Sequence, residues 1–188
     1  MRSTLRQLSC RAEQQRVGGA WLSAGRKRLA VRGVHTEARL QSLGYTLPEL
    51  PQPAGAYALA VSAGGWVYLA GHLPFKENMK DCYVGRVGAE FTTDEAALLA
   101  KITGLELIAS LKTAVGDLDK VKRIVKVSGF IAVADGSVTA LPAVLNGCSN
   151  LMGEVFEERG VHAREAVGVT SLPLGVPIEI SMVAQVDE

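Results

Sequence analysis

Side chains able to do chemistry are sparse and scattered in this 188-residue chain. Its three cysteines, Cys10, Cys82 and Cys148, are odd in number and widely spaced, so they form neither a disulfide framework nor a CxxC metal site. The three histidines, His35, His72 and His162, lie too far apart in sequence to nominate a metal centre. No GxxxxGK[ST] loop, strand-borne GxGxxG, GxSxG elbow or HExxH helix is present. What stands out is Arg164, within Val161-His162-Ala163-Arg164-Glu165-Ala166-Val167-Gly168-Val169 at a turn-to-strand junction. A guanidinium at the mouth of a sheet offers a planar fork that matches a carboxylate. The plainer alternative is a surface arginine paired with Glu165 or Glu179. Three further residues carry similar pairs of readings. Tyr57 is either a half-buried packing tyrosine or a ligand contact. His72 is either a surface or interface histidine or a site residue. Asn146 either caps or pairs across an interface, or lines a site. Cys148, one turn from Leu145 and Met152, reads as core.

The elements that must position these residues follow from periodicity and punctuation. Residues 36–47 suit a short helix, ended by Pro48, Pro51 and Pro53. Tyr57–Ala63 and Trp66–Ala70 read as strands joined by a tight Gly64-Gly65 turn. Thr92 with Glu95 forms a capping box. Leu98, Ile102, Leu105, Ile108, Leu111 and Val115 then mark one helical face, closed by Gly116. Val121–Val133 reads as a strand, and Leu141, Leu145, Cys148, Met152 and Val155 mark a second helix, stopped at Gly160. Arg164–Thr170 and Val176–Val186 read as the last strands, the latter with a period of two. The order β-β-α-β-α-β-β predicts an α+β domain: a mixed sheet with both helices on one face. The other face then needs a cover, and another subunit is the expected one.

Charge divides the chain. Residues 1–34 carry eight basic side chains and one acid, leaving twelve basic against eighteen acidic residues in the remainder. An Arg-rich, acid-poor, Ser-containing start without an apolar run describes a mitochondrial targeting segment over residues 1–35, with a functional domain over 36–188. A nucleic-acid-binding arm is the competing reading of that segment. The acidic body with few aromatics argues against a nucleic-acid surface. No uncharged apolar stretch reaches the ~18 residues of a membrane span.

Ala163-Arg164, Leu172-Pro173 and Ile178-Glu179-Ile180 together resemble the signature of the Rid/YjgF family, the reactive-intermediate (enamine/imine) deaminases also called endoribonuclease L-PSP. Ala54-Gly55-Ala56-Tyr57 looks like that family's Gly-Pro-Tyr entry, Leu69-Ala70-Gly71-His72 like its Ser-Gly-Gln segment, and Asn146 falls where it has a helical asparagine. The resemblance spans about residues 50–186. It implies a homotrimer of chorismate-mutase-like subunits with small 2-imino or 2-keto acids bound in intersubunit clefts. Arg164 would clamp the substrate carboxylate, Gly71 would offer its backbone N–H, and the backbone at Ala166 would face the reacting nitrogen. The implied reaction is hydrolysis of 2-iminobutanoate or 2-iminopropanoate to the keto acid and ammonia, with no cofactor and no metal. Positioning one water and the carboxylate suffices for so reactive a substrate.

The chain departs from this pattern at one chemically important place. The deaminases hold the attacking water with a carboxylate two residues after Glu179, where this chain has Ser181. A hydroxyl orients water but is no base near neutral pH. Glu179 shares the sheet face but lies ~7 Å along the strand. The serine of the Ser-Gly pair is Ala70 here, and alternation sends Glu165 to the face opposite Arg164. The expectation is therefore weak or altered deaminase activity with carboxylate binding retained. A non-catalytic trimeric binder of small carboxylates is the first alternative and an RNA-cleaving translation inhibitor the second.

Overall fold

The computed structural model describes residues 35–53 and 55–187. Residues 1–34, on which the targeting reading rests, lie outside them. The described chain forms a short helix α1 (Thr36–Ser42), a hairpin of β1 (Ala60–Ala63) and β2 (Trp66–His72), helix α2 (Thr93–Val115), β3 (Val121–Ala132), α3 (Leu141–Phe156), β4 (Ala163–Val169) and β5 (Ile178–Val186). The strands make one mixed sheet in the order β1-β2-β5-β3-β4, in which only β3 and β4 run parallel. This is the α+β arrangement expected from sequence, with α2 and α3 on one face.

Local chemistry sets each boundary. Gly64 (φ 56°) and Gly65 (φ 77°) take the left-handed conformations of a two-residue hairpin turn. At the head of α2, the Thr92 hydroxyl accepts from the Glu95 amide at 3.2 Å, and the Glu95 carboxylate accepts from the Thr92 amide at 2.9 Å. Gly116 (φ 77°) closes the helix by donating to the Lys112 carbonyl. α3 ends at Phe156, earlier than Gly160, because Glu157 (φ 54°) leaves the helical region and a 3₁₀ turn, Glu157–Gly160, follows.

Two expectations shift. β1 starts at Ala60 rather than Tyr57. A bulge between Leu69 and His72 interrupts the register of β2 with β5, while before β1 the Leu59 carbonyl still accepts from the Ala70 amide at 2.9 Å. The same bulge turns His72 from the open face, where alternation from Tyr68 would put it, onto the core face opposite Ile180. On α2 the period is right but the buried face is centred on Leu99, Thr103, Leu107, Ser110 and Leu111; Leu98, Ile102, Leu105 and Val115 are only half-buried. The displacement has a cause: α2 crosses α3 at Gly104 and Gly147, and a Cβ on Gly147 would sit 1.8 Å from the Ala97 carbonyl oxygen. Backbone contact this close draws the small-residue side of α2 inward.

β5 alternates as expected, with Ile178, Ile180, Met182, Ala184 and Val186 all buried under the helices. On the other face, Val61, Tyr68 and Val167 are 54%, 51% and 44% exposed, so an apolar sheet surface lies bare in the described chain. α1 is pinned to the body by polar contacts. The Thr36 amide and hydroxyl both donate to Asp119, and Arg159 donates to the Thr36 hydroxyl at 2.9 Å.

Candidate functional site

β4 is an edge strand, and Arg164 opposes Val127 of β3 on the helix-covered side. Because no strand among the described residues lies beyond β4, the guanidinium stays exposed and reaches across to α3, where Nη1 donates to the Ser149 hydroxyl at 3.0 Å. Ser149 Oγ lies 3.1 Å from His162 Nε2, and His162 Nδ1 lies 2.6 Å from the Gly160 carbonyl. A carbonyl only accepts, so Nδ1 carries the ring proton and Nε2 accepts from Ser149. Burial, together with the positive charge of Arg164, lowers the His162 pKa against the raising effect of Gly160, which keeps the imidazole neutral at pH 7.

Neither acid considered as a partner for Arg164 pairs with it. Glu165 lies on the opposite sheet face, held by Ser128 at 2.8 Å and Lys126 at 3.0 Å. Those partners, Lys126 foremost, lower its pKa. Glu179 lies on β5, half-buried on the open face, and burial raises its pKa. No carboxylate among the described residues forms an ion pair with Arg164. An exposed guanidinium bonded to one neutral hydroxyl keeps most of its five donors for an incoming anion.

The remaining candidates divide into groups. Ala166 sits two residues beyond Arg164 on the same face, half-buried against the core. Asn146 is exposed on α3, one turn before Ser149 and therefore on the same helix face. Gly71 and Ser181 belong to the open face. Gly71 lies in the β2 bulge beneath the Glu179 carboxylate, so close that a Cβ there would meet it at 1.8 Å. Ser181 lies opposite Ser128, in the row that ends at Glu165. Tyr57 lies in the bend before β1, 54% exposed. Arg164 and Ser181 thus occupy opposite faces of one sheet, and a single chain does not bring them together.

His72 is 5% exposed and fully engaged: Nδ1 with the Ala70 carbonyl at 2.8 Å, Nε2 with the Ser110 hydroxyl at 2.5 Å. Next to it on α2 is Glu106, also buried, which accepts from the Phe75 amide at 3.0 Å through Oε1 while Oε2 has no partner. Burial pushes the Glu106 pKa up to about 8 against the lowering effect of the Phe75 amide. This polar cluster is part of the core at β2, with β5 and β3 between it and the strand of Arg164.

Ser149 and His162 are the neighbours of Arg164 that the sequence reading did not single out. The signal was the spacing in His162-Ala163-Arg164, which puts both polar side chains on one side of an extended segment. Nothing local ties Ser149 to them, because that contact depends on how α3 packs.

The family described as "YjgF/chorismate_mutase-like, putative endoribonuclease" matches residues 37–186. Protein TCP17 of Trypanosoma cruzi is 38% identical over 151 residues, covering 80% of this chain and 93% of that protein. A 2-iminobutanoate/2-iminopropanoate deaminase of Dermatophagoides farinae is 28% identical over 140 residues, covering 74% and 93%. Among solved structures, Atu1372 of Agrobacterium tumefaciens, described as of unknown function, superposes with a TM-score of 0.73 at 35% identity, covering 81% of this chain and 92% of that one. A match that takes in the whole sheet, both long helices and the strand of Arg164 makes this chain a member of the Rid/YjgF family.

Proposed function

We propose that the protein is a Rid-type hydrolase for small 2-imino or enamine acids, holding the substrate carboxylate on Arg164 in a cleft completed by a second copy of the chain. The observation that carries this reading is the state of Arg164, which is exposed, without a carboxylate partner among the described residues and braced by Ser149. The deaminase relative supports the reaction class. The bare apolar sheet face supports a homotrimer, and so does the separation of Arg164 and Ser181 onto opposite faces, because a neighbour is needed to bring the two kinds of surface together. The Arg-rich segment before residue 35 supports delivery to the mitochondrial matrix, which N-terminal sequencing of protein purified from cells tests through the loss of Met1.

Hydrolysis of a protonated imine asks little of the protein: an anchor for the carboxylate, a water held against the imine carbon, and a place for one proton. Ser181 favours a second reading, a trimer that binds small 2-keto acids without turning over an imine, because it supplies no base. Assaying 2-iminobutanoate hydrolysis, 2-oxobutanoate binding and RNA cleavage on one preparation separates the readings, with Arg164→Ala as the control in each. Turnover and keto-acid binding that are both lost in the variant are the expected result. RNA cleavage indifferent to Arg164, without keto-acid binding, would overturn the proposal.

A further inference from the structure

The open face of the sheet carries a carboxylate whose position is set from the core. Glu179 is the one acid in β5, half-buried and without a cationic partner among the described residues. It stands over Gly71 in the β2 bulge, where a Cβ would meet its Oε1 at 1.8 Å. The carboxylate therefore rests on bare backbone, and where it stands follows from where the bulge stands.

What fixes the bulge lies on the helix side. His72 Nδ1 is 2.8 Å from the Ala70 carbonyl, and a carbonyl only accepts, so Nδ1 carries the ring proton. Nε2 is then bare and accepts from the Ser110 hydroxyl at 2.5 Å. The ring thereby ties the backbone of the bulge to α2. Glu106 lies one turn before Ser110 on the same face of that helix. Its Oε1 accepts from the Phe75 amide at 3.0 Å. Phe75 in turn opens a small hairpin, pairing antiparallel with Cys82 while the Tyr83 amide closes on the Pro74 carbonyl. Two successive turns of one helix thus hold the bulge and the chain that leaves it.

Stability alone is a poor account of these side chains. His72, Ser110 and Glu106 are 5%, 2% and 1% exposed, and Glu106 Oε2 has no partner. Burying an imidazole and a carboxyl in this way costs free energy that apolar side chains of similar size would not. Their contacts to backbone outside α2 go to Ala70 and Phe75, on either side of Gly71. A buried polar network of this kind specifies one position for the backbone it holds.

Resting on the proposed hydrolase, in which one copy's open face meets a neighbour's Arg164 edge, we propose that His72, Ser110 and Glu106 are positioning residues of that site. Through the β2 bulge they fix where Gly71 and the Glu179 carboxylate stand against the substrate. All three lie on the core side of the sheet, so they touch no substrate and act through the backbone around Gly71.

The test uses the full-length protein in its native assembly, with 2-iminobutanoate generated in situ. His72→Leu, Ser110→Ala and Glu106→Leu are each expected to lower kcat about 10- to 100-fold, while KM and 2-oxobutanoate affinity move less than about threefold because Arg164 is untouched. His72→Gln keeps a donor for the Ala70 carbonyl and Glu106→Gln keeps an acceptor for the Phe75 amide, so both should recover most of the lost rate. Glu179→Gln should lower kcat by itself, and adding any of the three substitutions to it should cost less than about twofold more, because they act through that carboxylate. Amide hydrogen exchange should quicken at residues 70–75 and stay slow from Leu99 to Leu111. Protection lost along the whole of α2 would mark a merely structural role and overturn the proposal. So would wild-type kcat in folded His72→Leu or Ser110→Ala, wild-type kcat in Glu179→Gln, or costs that multiply with that of Glu179→Gln. In each of these results the wild type still hydrolyses the imine. A wild type that hydrolyses none overturns the parent reaction and with it this role.

Discussion

Arg164 is held where it is by what surrounds it rather than by a counter-charge. Its sequence neighbour Glu165 points the other way and is committed to Lys126, so the strand's alternation prevents an internal ion pair that would quench the anchor. Glu106 illustrates the opposite use of an ionisable group, a carboxyl buried without a cation. Its pKa is raised in the fold to about 8, so the folded protein holds a proton that the unfolded chain releases above its ordinary value of 4.5. Stability from this group is therefore fully present below pH 4.5 and is lost as pH rises towards 8, by on the order of 5 kcal/mol in all. His72 works in reverse: burial lowers its pKa, so its contribution is present above 6.5 and is lost as pH falls through the folded value. Glu106→Gln keeps the acceptor for the Phe75 amide and removes the titration. Thermal unfolding from pH 5 to 8 should show Tm falling with pH in the wild type and a flatter, higher profile at pH 8 in the variant.

At the scale of elements, α2 and α3 must approach closely enough for α3 to hand Ser149 to Arg164. Glycine at 147 sets that distance, and the atom opposing it is backbone, which no rotamer change relieves. Gly147→Ala gains up to about 1 kcal/mol of helix propensity but forces the helices apart. A net loss of roughly 2–3 kcal/mol in chemical denaturation is expected, with reduced 2-oxobutanoate affinity as Ser149 withdraws from Arg164. This scale also separates what the sequence revealed from what it hid. Capping box, hairpin glycines, the β5 alternation and the outline of both long helices were legible, because each is written in residues a few positions apart. The β2 bulge was not: nothing in Leu69-Ala70-Gly71-His72 announces an extra residue, and it moves His72 from a candidate ligand position to a core hydrogen bond with Ser110. The α2 face was legible only in part, with Ile108 and Leu111 buried as expected, since glycine-mediated helix contact outweighed the other large side chains that periodicity favours. Ser149 and His162 were unreadable as a pair because 13 residues and a helix-to-strand turn separate them.

At the scale of the molecule, the sheet is covered on one side and bare on the other. Val61, Tyr68 and Val167 together with half-buried Trp66 and Val183 give that face the character of an interface core rather than a solvent surface. A homotrimer built on it would also bring a neighbour's open face towards the Arg164 edge. Tyr68→Arg places an uncompensated cation at the centre of that face. Light scattering coupled to size-exclusion chromatography should report a trimer for wild type and smaller species for the variant, with imine turnover lost alongside assembly although Arg164 is untouched.

The central claim is that Arg164 anchors a small carboxylate, and calorimetric titration of 2-oxobutanoate into wild type, Arg164→Lys and Arg164→Ala tests it most directly. A charge-assisted contact of this kind contributes about 1.5–3 kcal/mol, so the alanine variant should bind roughly 10- to 100-fold more weakly. Lysine should restore affinity only in part, because it keeps the charge without the planar fork. Equal affinity in wild type and Arg164→Ala would contradict the account.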